Sequence, residues 1–315
     1  PIWCILLAVF AVFLYVMVKS AMKARKEIGA KAPKNAIILA AGFGMRMVPI
    51  NLSTPKALLK VNGERLIERL ITQLHEAGVD DITVVVGFMK DSFEYLIDEY
   101  GVDLVYNPGY AAHNNLHSLA LVAERIRNTY VVPCDIWCAS NPFSGVELYS
   151  WYMVSDRLDK ESEVRVNRKT ELVAIPDKEA GNAMIGISYL LEPEAGIVRE
   201  RLGELDDEEH AEDFWEAALY KKDRMIVQAR VVGSADVVEI NTYEQLREFD
   251  ADSDHLKSDA IRSIAEALSC RETDIVDITV LKKVMTNRSF LFTLRGQRYI
   301  MRIPGEGTEA FIDRS

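Results

Sequence analysis

Cysteine is scarce and badly placed for crosslinking or chelation. The four in 315 residues, Cys4, Cys134, Cys138 and Cys270, contain no CxxC pair. That argues against a zinc ribbon or a disulfide framework and fits a compartment where thiols stay reduced. Histidine is equally thin, five in all and dispersed. Positive charge is in deficit: 37 Lys and Arg against 48 Asp and Glu give a formal net charge of -11. The chain therefore has no general attraction for nucleic acid, and any anionic substrate must be held by local basic groups. Two phosphate-binding signatures are also missing. No Gly-Lys-Ser/Thr closes a Walker A loop, and Gly42-Phe43-Gly44 lacks the third glycine of a dinucleotide fingerprint. Internal repeats and low-complexity tracts are absent.

One long apolar run is present, Ile2 to Val18, followed by Lys19, Lys23, Arg25 and Lys26. As a helix it would be roughly 26 Å long, slightly short of a hydrocarbon layer of about 30 Å but within reach of lysines that snorkel. Basic residues on its C-terminal side would leave the rest of the chain in the cytoplasm, anchored to the inner face of the membrane by residues 2–18. A signal peptide carries its charge before the apolar stretch and fits less well. The other reading is a core or interface helix, and both stay open.

From Asn35 onward, short β-rich runs alternate with amphipathic segments, the pattern of parallel strands joined by helices. Strands are expected at Ala36–Ala40, Ile82–Val86, Val102–Tyr106 and Tyr130–Pro133. Helices are expected over Leu66–Ala77, around Phe93–Ile97 and over Leu116–Ile126. Residues 143–193 read as antiparallel, with Gly186–Tyr189 the clearest strand, and Phe214-Trp215 entering a helix. A strand pair, Ile226–Val232 with Val237–Ile240, and a helix over Tyr243–Phe249 close the domain. Asp250–Asp254 reads as a linker, followed by a helix over Asp259–Leu268 and a two-stranded pattern, Thr279–Leu294 with Tyr299–Ile303. The expected architecture is α/β, a Rossmann-like, mostly parallel sheet flanked by helices. Its three parts are an apolar helix and basic linker (1–33), the α/β domain (34–250) and a C-terminal unit (251–315).

The chemistry concentrates after the first strand, in Ala40-Ala41-Gly42-Phe43-Gly44-Met45-Arg46 and Thr54-Pro55-Lys56. Glycines let backbone N–H groups approach phosphate oxygens, since no Cβ stands in the way. Arg46 and Lys56 add two fixed cations in an acidic protein, which suits a triphosphate and the charge that develops during transfer. The strand Tyr130–Pro133 ends in Cys134-Asp135. In open α/β sheets ligands sit at the carboxyl ends of the strands, which directs Asp135 toward the same crevice as the loop.

The run Asn35 to Arg46, then Thr54-Pro55-Lys56-Ala57-Leu58 and Val61-Asn62-Gly63, resembles the sugar-phosphate nucleotidyltransferase superfamily, and more closely the bacterial CTP:phosphocholine cytidylyltransferases. Val85-Val86-Gly87-Phe88, Tyr106-Asn107 and Asn114–Leu119 fit the same branch, so the likeness spans about Lys34 to Phe249. It implies the nucleotidyltransferase fold and Mg²⁺-dependent transfer of a cytidylyl group from CTP to phosphocholine, giving CDP-choline and pyrophosphate. Asp135 matches the family's metal-binding carboxylate, and a hard carboxylate suits Mg²⁺. Asn115 and Ser118 would lie near the nucleotide with Ala40, Ala41, Gly42 and Gly44. His113 and His117 read as ordinary helix-face residues.

Two departures stand out. Where the family carries a second metal-binding aspartate, this chain has Glu239-Ile240-Asn241-Thr242. Asn241 offers only a neutral oxygen. Around Glu163–Val166, where relatives place a tryptophan against the choline, no aromatic residue occurs. Trp151, Tyr152, Tyr189 and Trp215 remain candidates for a cation-π wall, with Tyr189 and Trp215 preferred. Ile278–Phe290 and Tyr299–Gly305 resemble the first strands of a bacterial choline kinase, a coherent partner for an enzyme that consumes phosphocholine. The chain stops at Ser315, before a kinase's catalytic loop and metal-binding aspartate, so no kinase activity is expected. A sugar-1-phosphate nucleotidyltransferase and a non-catalytic nucleotide-binding module are the rival readings.

Overall fold

The structure is a computed structural model that describes residues 13–20, 22–23, 32–44, 47, 54–176, 179–253, 256, 258–281 and 287–304. The chain order begins with β1 (Asn35–Ala40), a small hairpin of β2 (Lys60–Val61) and β3 (Glu64–Arg65), a helix over Leu66–Glu76, and β4 (Ile82–Val86). A helix over Tyr95–Tyr100 leads to β5 (Asp103–Tyr106), and a helix over Asn115–Ala120 leads to β6 (Thr129–Pro133) and β7 (Ile136–Cys138). The second half adds β8 (Trp151–Asp159), β9 (Val164–Val166), β10 (Glu171–Ala174) and β11 (Gly181–Leu190). A helix over Glu194–Leu205 comes next, then β12 (Tyr220–Lys221), β13 (Arg224–Val232), β14 (Val237–Glu239) and a helix over Tyr243–Phe249. The C-terminal unit holds a helix, Asp259–Leu268, and β15 (Ile275–Val280), β16 (Asn287–Leu294) and β17 (Gln297–Pro304).

The large sheet runs β5-β4-β1-β6-β11-β8-β13-β10-β9, with β12 beside β13. Its first four strands are mutually parallel, and β11 pairs antiparallel with both β6 and β8. The chain moves from β1 outward to β4 and β5, then returns to place β6 on the other flank of β1. The strand order thus reverses between β1 and β6, the position where open α/β sheets bind ligands. In register, Leu39 faces Pro133 and Ala40 faces Val86, so the segments after these three strands share one edge.

Alternation along β1 builds two cores. Ala36, Ile38 and Ala40 point into a cluster with Ile67, Leu70, Ile71 and Leu74 of the Leu66–Glu76 helix. Ile37 and Leu39 point the other way, toward Leu116, Leu119, Val198 and Leu202. A period-two strand covered by helices on both sides accounts for the unbroken apolar run.

Most elements agree with the sequence expectation, with three differences. β13 and β14 do not pair with each other. β13 lies between β8, its parallel partner, and β10, while β14 pairs with β7. The turn at Gly233, whose carbonyl accepts from the Asp236 N–H at 2.9 Å, redirects the chain between them. The segment expected as one helix over Leu116–Ile126 is a helix to Ala120 and a 3₁₀ turn over Ala123–Arg125. The C-terminal unit has three antiparallel strands rather than two, and β16 and β17 turn through Arg295 and Gly296, both at positive φ.

A third cluster draws residues from both sides of residue 250. Leu59, Val61, Leu66, Ile240, Tyr243 and Leu246 pack with Ile261, Ile264, Ile275, Phe290 and Phe292. The segment expected as a linker is tied down, with Asp250 accepting from the Asn62 N–H and Ser253 donating to the Lys60 carbonyl. Of the apolar N-terminal run, residues 2–12 lie outside the described residues. Residues 13–20 are helical, and Phe13, Leu14, Tyr15, Val16, Met17 and Val18 are each at least half exposed. Among the described residues no helix is long and apolar enough to cross a membrane.

Candidate active site

The Thr54-Pro55-Lys56 segment takes its conformation from the residues on its C-terminal side. Pro55 fixes its own φ near -55° and opens a 3₁₀ turn over Lys56–Leu58, closed by Leu58 N–H donating to the Pro55 carbonyl. Ala57, Leu58 and Leu59 are buried and anchor the turn, leaving the Lys56 side chain directed at the sheet edge with 11 % exposure. There its ammonium donates to Asp135 Oδ2 at 2.5 Å and to Asn241 Oδ1 at 2.7 Å. Asp135 follows β6 at its carboxyl end, and its carbonyl accepts from Ile240 N–H at 2.9 Å. That bond and the β7–β14 ladder bring Asn241 across to Asp135. Asn241 stands just before the Tyr243–Phe249 helix, whose capping box joins Thr242 and Gln245. Gln245 Oε1 also accepts from the Asn241 N–H at 2.7 Å. Residues 56, 135 and 241, distant in sequence, thus converge at the β1/β6 reversal.

The glycine loop lies along the same edge. Ala40 and Ala41 are buried, Gly42 has open space where a Cβ would stand, and Gly44 takes a φ of 68°, a region that favours glycine. Arg46 lies outside the described residues. The loop is braced by the segment after β4, where Phe88 N–H donates to the Ala41 carbonyl at 3.0 Å and the Phe88 ring meets Phe43 edge-on. Gly87 is the constrained glycine. A Cβ there would stand 2.6 Å from the Ala41 carbonyl oxygen and 2.6 Å from Tyr110 Cβ. Gly87→Ala is expected to cost about 1–3 kcal/mol by overpacking and, by pushing the loop, to raise KM for the nucleotide. Urea unfolding and steady-state kinetics on one preparation check both.

Asn115 and Ser118, expected near the nucleotide, are each bonded to a neighbouring residue. Ser118 Oγ accepts from Nδ2 of the fully buried Asn107 at 3.0 Å. Asn115 Oδ1 accepts from the Trp215 N–H at 2.8 Å, fastening the turn Trp215–Leu219 to the Asn115–Ala120 helix. Tyr189 and Trp215, the preferred aromatic candidates for a cationic group, are 0 % and 1 % exposed. Tyr189 packs beside Tyr130 in one core and Trp215 beside Tyr152 in the other, so neither ring has surface to offer in this structure. Trp151 is likewise buried, with the Arg230 guanidinium 3.6 Å over its ring. His117 is bonded to Asp206 at 2.7 Å beside the His113 ring. Burial pushes the Cys134 and Cys138 thiols up to about 12, the range of inert thiols.

Sequence reasoning missed Glu216. The residue as a whole is half-buried, but its carboxylate is shut off from solvent. Oε1 accepts from Tyr152 Oη at 2.9 Å, while Oε2 has no hydrogen-bond partner among the described residues. Burial raises its pKa to about 7, and the charges of Glu239 and Glu163 push the same way. Tyr152 lies against it, and the Phe214 ring, two residues earlier, is 59 % exposed. Glu216 is thus an enclosed carboxylate with one orphaned oxygen, set among other acids and against the Tyr152 ring. Its signal in sequence was an acid directly after an aromatic pair, which a surface helix shows equally well.

Asp135 and Asn241 together suit a hard divalent ion. Both present oxygen, and a cation, the Lys56 ammonium, already bridges them. Among the described residues no cluster of three or more His, Cys, Asp or Glu forms an independent metal site.

The MobA-like NTP transferase domain matches residues 36–143. The choline-phosphate cytidylyltransferase of Streptococcus pneumoniae is 40% identical over 164 residues, 51% of this chain and 71% of that protein. The 2-aminoethylphosphonate cytidylyltransferase of Lancefieldella rimae is 30% identical over 243 residues, 70% of this chain and 94% of that protein. Among solved structures, the CTP:phosphocholine cytidylyltransferase from Streptococcus pneumoniae matches with a TM-score of 0.63 at 31% identity, covering 69% of this chain and 97% of that one. On the strength of these relatives, the chain belongs to the nucleotidyltransferase family that contains these cytidylyltransferases.

Proposed function

We propose that the chain transfers the cytidylyl group of CTP to phosphocholine. The observation that carries the transfer chemistry is the meeting of Lys56, Asp135 and Asn241 at the edge where β1 and β6 diverge. The observation that favours a cationic acceptor is the orphaned, buried oxygen of Glu216. An oxygen of the acceptor phosphate forms a bond to the α-phosphorus as the bond from that phosphorus to the bridging oxygen breaks, and pyrophosphate leaves with the electron pair. Lys56 offsets charge on the phosphate oxygens, and the backbone after Ala40 receives the triphosphate. Arg46 is assigned the same role as Lys56 from its place in the loop. Asp135 and Asn241 would hold Mg²⁺, which when bound offsets charge and aligns the phosphates. Ser118 and Asn115 keep Asn107 and the Trp215–Leu219 turn in place around the site. Glu216, with the exposed Phe214 ring nearby in sequence, is assigned to the quaternary ammonium, fixing the acceptor phosphate toward the nucleotide.

The resemblance of Ile278–Phe290 and Tyr299–Gly305 to the first strands of a choline kinase supports phosphocholine as the acceptor. The exposed apolar helical residues 13–18, followed by lysines, support contact with a lipid surface. Vesicle flotation tests this, with binding expected to be lost when residues 1–31 are removed. The acceptor is tested by pyrophosphate release from CTP with phosphocholine, 2-aminoethylphosphonate and hexose 1-phosphates. The highest kcat/KM is expected with phosphocholine; turnover of hexose 1-phosphates without phosphocholine would reject the assignment.

A further inference from the structure

The position between Asp135 and Asn241 is filled by the protein's own cation. Lys56 Nζ reaches both side-chain oxygens, and little of its length meets solvent. All three groups are held from behind: Lys56 by a turn of buried residues, Asp135 by the bond from Ile240, and Asn241 by Gln245. An ammonium and a divalent ion claim the same lone pairs, and at such distances they repel strongly. With a neutral amide at 241, the Lys56–Asp135–Asn241 group carries no net charge, so a bare dication finds nothing there to attract it.

We propose that Lys56 is an internal counter-ion that closes the metal position of the unliganded enzyme. The position opens to a divalent ion when a triphosphate draws the ammonium onto its own oxygens. This rests on the metal-dependent reading of the site above. Nucleotide and metal then bind with strong positive coupling, each needing the other to displace or rehouse Lys56. Asn241 is part of the device, because a carboxylate at that place would leave a net negative charge and admit the metal alone.

The experiment is Mn²⁺ binding to the purified full chain, followed by the electron paramagnetic resonance of free Mn²⁺, with and without a non-hydrolysable CTP analogue. Without nucleotide, Lys56→Met is expected to bind Mn²⁺ roughly tenfold or more tightly than the parent, since the metal no longer displaces a charge-assisted hydrogen bond. Asn241→Asp, with Lys56 kept, is also expected to bind it more tightly. With the analogue present, the parent tightens strongly and the advantage of Lys56→Met disappears. Equal nucleotide-free affinities of the parent and a cooperatively folded Lys56→Met overturn the proposal. Should Lys56→Met fail to fold, Asn241→Asp decides, and no gain there has the same meaning. Failure of every form to bind Mn²⁺ even with the analogue would instead sink the metal-dependent reading itself.

Discussion

Asp135→Asn is expected to lower kcat for cytidylyl transfer by roughly a hundred- to a thousandfold, the scale seen when a group stabilising transition-state charge is removed. The substitution keeps shape and one acceptor oxygen, so Lys56 retains a hydrogen-bond partner and the turn that carries it stays in place. What disappears is the negative charge. Asp135 is 17 % exposed at the end of β6, with its backbone bonded to Ile240, so the fold does not depend on its carboxylate alone. Steady-state kinetics should therefore show a collapse in kcat while thermal unfolding moves little. A variant that kept kcat within a few-fold of the parent would remove Asp135 from the chemistry.

Glu216 gives the second large effect, and it depends on pH. Its carboxyl titrates near about 7 because burial and the neighbouring acids Glu239 and Glu163 penalise the charge. A quaternary ammonium binds the ionised form, so affinity for the cationic acceptor is full above about pH 7. Below that, KM should climb by about tenfold per pH unit, until the pKa of the complex is passed. Glu216→Gln should bind the acceptor at least about tenfold more weakly at pH 8 and lose this component of the pH dependence. Comparing the two proteins across one pH series cancels the titration of the acceptor's own phosphate. Stability should move the opposite way. The folded pKa lies above the unfolded value of 4.5, so the folded state holds more protons between the two. Stability from this group is present below the unfolded pKa and falls as pH rises toward about 7. Glu216→Gln should then be more stable than the parent at about pH 8, on the order of 2 kcal/mol, with no such gain near pH 4. A flat profile identical in both proteins would mean that the acceptor is not read by this carboxylate.

The strands and the segments that meet at the sheet edge were legible because their signals are local. β1, β4 and β6 are apolar runs between turn residues, and Thr54-Pro55-Lys56 and Cys134-Asp135 carry their own turn and strand-end signals. The features that were not legible depend on contacts between distant segments. β13 and β14 are adjacent in sequence and would suit a hairpin, but their partners are β8, β10 and β7. Tyr189 and Trp215 have the composition of a cation-π wall, and only packing shows that both rings are enclosed. Glu216 looked like one acid among many, since its isolation from water is created by Tyr152 and by the Asn115 bond that fixes the Trp215–Leu219 turn. The C-terminal unit read as separate, yet Ile264, Ile275 and Phe290 share a core with Tyr243 and Leu246 of the helix that begins just after Asn241. The side chains that pack behind Asn241 therefore come partly from beyond residue 250.

The central claim, transfer rather than binding, is tested most directly by phosphorus NMR of the full chain incubated with CTP, Mg²⁺ and phosphocholine. The expected result is loss of the phosphocholine resonance with matched growth of pyrophosphate and the two coupled signals of CDP-choline. CTP bound but unconsumed, or consumed with phosphocholine left untouched, would contradict it.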